Sequence, residues 1–270
     1  MKSQTLSDPR PIGIFDSGIG GLTVLRALRA RLPRERYVYL GDTARLPYGT
    51  KSPETVVRYA LRASRFLAAH DIKLLVVACN TASAAALPAL AAALPLPVIG
   101  VVIPGANAAA HRTRGRVGVI GTESTVASGA YHRALLGARA GLEIVALPCP
   151  LFVPLAEEGW FDHPITREVA AIYLAPLAAA KIDTLILGCT HYPLLRAAIA
   201  AGVGEGVGLV DSATAVAAEV EHLLERHGMR SGDGGSLSVL VTDAAARVRR
   251  IAALILQEHE TALELVDLPD

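Results

Sequence analysis

Paired cysteines are what this chain most plainly lacks. Its three, Cys79, Cys149 and Cys189, are an odd number and nowhere form a CxxC pair, which excludes a disulfide scaffold and a zinc-ribbon type of site and favours reduced thiols. Long hydrophobic runs are also missing, since every apolar stretch is broken by Gly, Pro, Asn or a charged residue, and no membrane span is expected. Residues Met1 to Pro11 carry Lys2, Asp8 and Arg10 without the apolar segment of a secretory signal, so the expected location is the cytoplasm. Neither sign of charge dominates. The 26 basic and 25 acidic side chains leave a formal charge of +1, which supplies no general field for nucleic acid or an anionic membrane, and neither is expected as a partner.

What is present is apolar material in quantity, 52% of 270 residues, arranged as alternating strand and helix patterns. Strand-like runs at Pro11–Phe15, Tyr37–Leu40, Lys73–Ala78, Val98–Val102, Val117–Ile120, Leu142–Ala146, Thr184–Leu187, Val207–Val210 and Leu237–Val241 alternate with helical patterns. Among those helices are 55–70, one containing Tyr131 and capped by Thr122, Ser124 or Thr125, 166–180, one capped by Asp211 or Ser212, and 244–257. Gly228 to Ser236 reads as a loop. This alternation predicts an α/β protein of mainly parallel sheets covered by helices. Two similar domains are expected, residues 1–102 with 211–270 and residues 103–210, with the active site in the cleft between them; one continuous domain is the alternative.

Two of the cysteines occupy the same sequence context. Cys79 ends the run Val76-Val77-Ala78 and is followed by Asn80-Thr81; Cys189 ends Leu185-Ile186-Leu187-Gly188 and is followed by Thr190-His191. Each therefore sits where a buried strand empties into a loop, the place at which open α/β sheets hold ligands. A thiol with an ordinary pKa of about 8.5 can serve as base or acid after a modest shift. Two thiols on opposite faces of a tetrahedral carbon can remove a proton from one side and supply one to the other, which inverts the centre. Free cysteines also serve as apolar packing, the simpler reading for Cys149 between two prolines.

Around these loops, His191 can move a proton or merely tie its loop, and Asp16 and Asp42 end strands where they can tune a proton-transfer site or cap the next element. Ser17-Gly18-Ile19-Gly20-Gly21 permits close backbone approach to an anion or forms a tight turn; it matches neither a P-loop nor a full dinucleotide fingerprint. The four lysines, Lys2, Lys51, Lys73 and Lys181, all lie off the cysteine loops.

In order along the chain, Gly13-Ile-Phe-Asp16-Ser17-Gly-Ile-Gly-Gly-Leu-Thr, Asp42, Pro47-Tyr48-Gly49, Cys79-Asn80-Thr81-Ala-Ser, Gly100-Val-Val-Ile-Pro-Gly105, Ile120-Gly-Thr-Glu-Ser-Thr125, Cys149-Pro150 with Glu157, Gly188-Cys189-Thr190-His191-Tyr-Pro and Asp211-Ser212 resemble the glutamate racemase family within the amino-acid racemase superfamily. The resemblance implies interconversion of L-glutamate and D-glutamate without a cofactor or metal, D-glutamate being used for peptidoglycan, by a protein that forms homodimers. It implies Cys79 and Cys189 as the acid/base pair, Cys79 acting on the D and Cys189 on the L enantiomer, supported by Asp16 and His191. By the same carry-over, Asp16, Ser17, Tyr48, Gly49, Asn80, Thr81, Thr122, Thr190 and His191 contact substrate, and Asp42 and Glu157 are supporting acids. Tyr131 and Tyr192 are read as shaping the cleft or packing. Aspartate racemisation and a noncatalytic binding protein are the alternatives.

Overall fold

The computed structural model describes residues 8–232, 234–243, 246–257 and 262–269. Residues 1–7 of the amino-terminal segment, Asp233, and Ala244 and Ala245 of the expected last helix lie outside the described residues. Among the described residues the strands form two sheets, and every pairing between neighbouring strands is parallel. The first takes β1 (Ile12–Asp16), β2 (Tyr37–Gly41), β3 (Leu74–Val77) and β4 (Val98–Gly100), with α1 (Leu22–Arg31), α2 (Pro53–Ala68) and α3 (Asn80–Ala93) between them. The chain then builds the second sheet with α4 (Val102–Arg112), β5 (Arg116–Gly121), α5 (Glu123–Ala127), α6 (Ala130–Ala138), β6 (Glu143–Pro148), α7 (Phe152–Glu157), α8 (Pro164–Ala179), β7 (Thr184–Gly188), α9 (Arg196–Val203) and β8 (Gly208–Asp211). It returns through α10 (Ser212–Arg226) to add β9 (Leu237–Val241), α11 (Ala246–Leu256) and β10 (Leu263–Leu265) to the first. The strand orders are β10-β9-β2-β1-β3-β4 and β6-β5-β7-β8.

Side chains alternate across each strand, and both faces are covered, which is why the strands read as unbroken apolar runs. Ile12, Ile14, Tyr39, Leu74 and Val76 face the core shared with α1, α10 and α11, while Phe15, Leu40, Leu75 and Val77 face the core under α2 and α3. The second sheet repeats the scheme, with Val117, Val119 and Ile186 toward α4 and α6 and Ile120, Leu185 and Leu187 toward α7, α8 and α9. Each such side chain contributes about 1.5–3 kcal/mol on burial. Helix α2 shows the local logic well. Ser52 caps it by accepting from Thr55 N at 3.3 Å, Pro53 opens it, and Val56, Ala60, Ala63 and Leu67 lie on its buried stripe.

At the amino-terminal edge of the first sheet Lys73 is buried in an ion pair, Nζ lying 2.6 Å from Glu35 Oε2 and donating also to the carbonyls of Asp8 (2.8 Å) and Met229 (2.7 Å). Glu35 Oε1 accepts from Ser231 N at 2.8 Å. One cation thus fastens the starts of β2 and β3 to two segments distant in sequence.

Two expectations about elements are corrected and one strand is added. The strand expected over Val98–Val102 stops at Gly100, because Val102 already opens α4, whose first turn accommodates Pro104. The helix bearing Tyr131 is not the one capped by Thr122: that cap serves α5 alone, and Gly129, at φ +65°, breaks the path before α6. Strand β10 has no counterpart among the strand patterns of the sequence; it pairs with β9 at the sheet edge.

Candidate active site

The order of each sheet reverses beside its first strand, β1 lying between β2 and β3 and β5 between β6 and β7. The crevice at such a reversal is the binding place of an open parallel sheet, and here both crevices open onto one cavity. It is lined by Ser17, Gly18, Leu46, Pro47, Tyr48, Gly49, Cys79, Asn80, Thr81, Thr122, Val153, Glu157, Cys189, Thr190 and His191. Residues following β1, β2 and β3 form one wall and residues following β5, β6 and β7 the other.

Cys79 is the amino-terminal cap of α3, its sulfur accepting from Ala82 N at 3.5 Å and donating to Ser17 Oγ at 3.3 Å. A helix start favours thiolate, but burial and then the charge of Asp16 outweigh it and lift this thiol to about 12. Asp16 itself is wholly buried. Burial raises its carboxyl above the usual range, against the opposing influence of His191 and of the amides of Gly21, Gly18 and Ser17. Its Oδ2 accepts from Gly18 N at 3.0 Å, and its Oδ1 has no partner.

Cys189 stands in a different setting. Its sulfur lies 3.7 Å from His191 Nδ1, and His191 Nε2 lies 3.4 Å from Glu157 Oε1, an ionic contact off the line of a hydrogen bond. Burial alone would push the imidazolium down, but its contacts with Cys189 and Glu157 more than offset this and raise it to about 10. The result is a chain of thiol, imidazole and carboxylate along the cavity wall.

Short hydrogen-bonding side chains line the cavity or back its walls. The hydroxyls of Thr81, Thr122 and Thr125 form a triangle with sides of 3.0, 3.1 and 2.9 Å, which joins α3 of the first sheet to α5 of the second. Asn80 Nδ2 donates to Tyr131 Oη at 2.8 Å. Tyr48 donates to Asp42 Oδ2 at 2.6 Å, and Asp42 also accepts from Arg45 (2.8 Å) and Thr242 (3.0 Å). The walls meet closely at two glycines: a β-carbon on Gly20 would fall 2.4 Å from Thr190 Oγ1, and one on Gly49 would fall 2.6 Å from Thr122 Cβ.

The family model for Asp/Glu/Hydantoin racemase matches residues 22–220, which contain both thiol loops. The chain belongs to the Asp/Glu/Hydantoin racemase family. Within it, the chain is 48% identical over 272 residues to the glutamate racemase of Chlorobaculum parvum, covering 99% of this chain and 100% of that one. The crystal structure of a glutamate racemase isoform from Bacillus anthracis superposes with a TM-score of 0.93 at 39% identity, over 96% of this chain and 98% of that one. That of the Francisella tularensis glutamate racemase in complex with D-glutamate gives 0.90 at 37% identity, over 97% and 98%.

Against this racemase-family fold, the expected site residues divide in two. Cys79, Cys189, His191, Ser17, Tyr48, Gly49, Asn80, Thr81, Thr122, Thr190 and Glu157 all line the cavity. Asp16 and Asp42 do not: Asp16 lies behind the Ser17–Gly21 turn, and Asp42 holds Tyr48 and Arg45 from outside the wall. Of the two neighbouring glutamates, Glu157 is the one that meets His191. Gly18, Leu46, Pro47 and Val153 line the cavity in addition to the expected contacts. Gly18 and Pro47 lie within the quoted motifs and Leu46 adjoins one, a usable signal, but nothing in the sequence marks Val153. Cys149 is buried and its thiol is pushed up to about 12 by that burial; it packs in the core under α7 to α9. Among the described residues no group of three or more His, Cys, Asp or Glu side chains gathers to hold a metal ion, and no helix is long and apolar enough to cross a membrane.

Proposed function

We propose that this chain interconverts L-glutamate and D-glutamate by two-thiol proton transfer at the α carbon, one thiol removing a proton and the other supplying one, without a cofactor, and so supplies D-glutamate for peptidoglycan. The observation that carries the reading is the arrival of Cys79 and Cys189, from the two sheets, at one cavity. In the L-to-D direction Cys189 takes the α proton: the C–H bond breaks, an S–H bond forms, and the electron pair stays on the α carbon. Cys79 then gives its proton to the opposite face. The reverse reaction exchanges the roles, and solvent restores the starting protonation between turnovers.

The α carbon is a weak acid, so the developing negative charge on the neighbouring carboxylate must be met by preorganised donors in a site closed to water. Thr81, Thr122 and Thr190, with the adjacent backbone amides, are assigned that task, and Asn80 is assigned to the α-ammonium; Ser17, Tyr48 and Gly49 hold the other end of the substrate. Asp16 supports Cys79 from behind and His191, backed by Glu157, supports Cys189. Asp42 acts by holding Tyr48. The chain is assigned two α/β units, 1–102 with 211–270 and 103–210, whose relative closure shuts the cavity. A cytoplasmic homodimer is proposed from the family resemblance, and sedimentation of the purified protein tests the dimer.

The decisive experiment follows enantiomer composition and α-deuteration in deuterated buffer, starting from L- or D-glutamate, with matched aspartate reactions and no added cofactor. Convergence on one mixture from either side, with inversion lost in Cys79→Ala and in Cys189→Ala, is expected. Faster aspartate turnover would move the specificity to the shorter acid, and a folded wild-type protein that neither inverts nor exchanges would sink the reading.

A further inference from the structure

Tyr131 belongs to α6 of the second sheet, yet its hydroxyl meets a residue attached to the first. It accepts from Asn80 Nδ2 at 2.8 Å and lies 3.1 Å from Ser212 Oγ. Asn80 directly follows Cys79, and Ser212 is the first residue of α10, where the chain returns to the first sheet. The ring is wedged at the same junction: a β-carbon on Gly188, the residue before Cys189, would fall 3.0 Å from Tyr131 Cε2. All three polar side chains are buried, Tyr131 at 3%, Asn80 at 4% and Ser212 at 6% exposure. Burial, offset in part by Ser212 and Asn80, pushes Tyr131 up to about 12, so at neutral pH it is a phenol with one proton to give and lone pairs to receive.

The geometry points to Tyr131 as a positioning residue that fixes which end of the Asn80 carboxamide faces the substrate. The inference rests on the racemase reading above. With the amide nitrogen of Asn80 donating to Tyr131, whose hydroxyl is also paired with Ser212, the carboxamide oxygen is the end left for the cavity that Asn80 lines. An oxygen there accepts from the substrate's α-ammonium. An amide nitrogen there would oppose it. The ammonium keeps its charge through proton abstraction, so this contact is equally strong in ground state and transition state and acts on KM rather than on kcat.

Tyr131→Phe keeps the ring against Gly188 and removes only the hydroxyl. Losing the partner of a buried amide is worth roughly tenfold, and the variant is expected to raise KM for both enantiomers about tenfold while kcat stays within about twofold. Ser212→Ala leaves the Asn80 contact and removes the anchor behind it, so KM rises in the same direction by a smaller factor. The double variant Tyr131→Phe/Asn80→Ala should bind no worse than Asn80→Ala alone, because the hydroxyl acts only through that side chain. Unchanged KM in both hydroxyl variants, a fall in kcat at constant KM, or additive losses in the double variant would overturn the assignment. If Tyr131→Phe fails to fold, the KM of Ser212→Ala decides the matter alone: a rise supports the assignment and an unchanged value overturns it. A wild-type protein without racemase activity counts against the racemase reading, whereas variants indistinguishable from an active wild type count against this one.

Discussion

The Asp16 carboxyl has lost its water, and one of its oxygens has gained no partner in exchange. Its folded pKa is raised, so the folded state holds this proton more tightly than the unfolded chain does. Stability is therefore lost as pH rises above the unfolded carboxylate value of about 3.9, and the loss is complete once the folded carboxyl has ionised. Asp16→Asn removes that charge. It is expected to be at least as stable as the parent in urea unfolding at pH 8 while kcat falls on the order of 10²-fold; a loss of stability beyond about 1 kcal/mol would contradict the sign. Gly20 tests a steric claim at the same scale. Its missing side chain lets the first wall touch Thr190 and His191, so Gly20→Ala should displace the Cys189 loop and reduce kcat/KM about 10²-fold, a larger effect than any change in denaturation midpoint.

The fastening of β2 and β3 by Lys73 and Glu35 is a property of elements, because the pair joins the starts of two strands that β1 separates in the sheet. Glu35→Gln leaves a buried ammonium without its counter-charge and is expected to cost about 3–5 kcal/mol in chemical denaturation; replacing both partners with apolar residues should cost much less. Element scale is also where sequence and structure agree most closely. Runs such as Val76-Val77-Ala78-Cys79 and Ile186-Leu187-Gly188-Cys189 announce strands buried on both faces, and their abrupt polar ends announce the loops that carry the thiols. What stayed hidden depends on partners remote in sequence. Val102 reads like the strand before it until α4 finds the second sheet, β10 needs β9 already in place, and Val153 becomes a wall residue only because α7 faces the cavity. Tyr131 carries no local sign that its hydroxyl will reach Asn80.

Across the whole molecule, His191 links the thiol loop of the second sheet to the turn that follows β1, where it opposes the burial of Asp16. Its folded pKa of about 10 lies above the unfolded value of about 6.5, so the stability it contributes is fully present below pH 6.5 and is lost as pH rises through 10. Denaturation midpoints measured from pH 6 to 10 should fall across this window, and His191→Gln should flatten the fall; an unchanged slope would remove His191 from the account. The two sheets also differ in how they are assembled from the chain. The second uses strands from residues 116 to 211 without interruption, whereas β2 of the first has one edge that is paired only by β9, residues 237–241. On the ribosome the half carrying Cys189 can therefore close while the half carrying Cys79 still shows an open strand edge. During synthesis it is the Cys79 half that is exposed to mispairing and most in need of a chaperone.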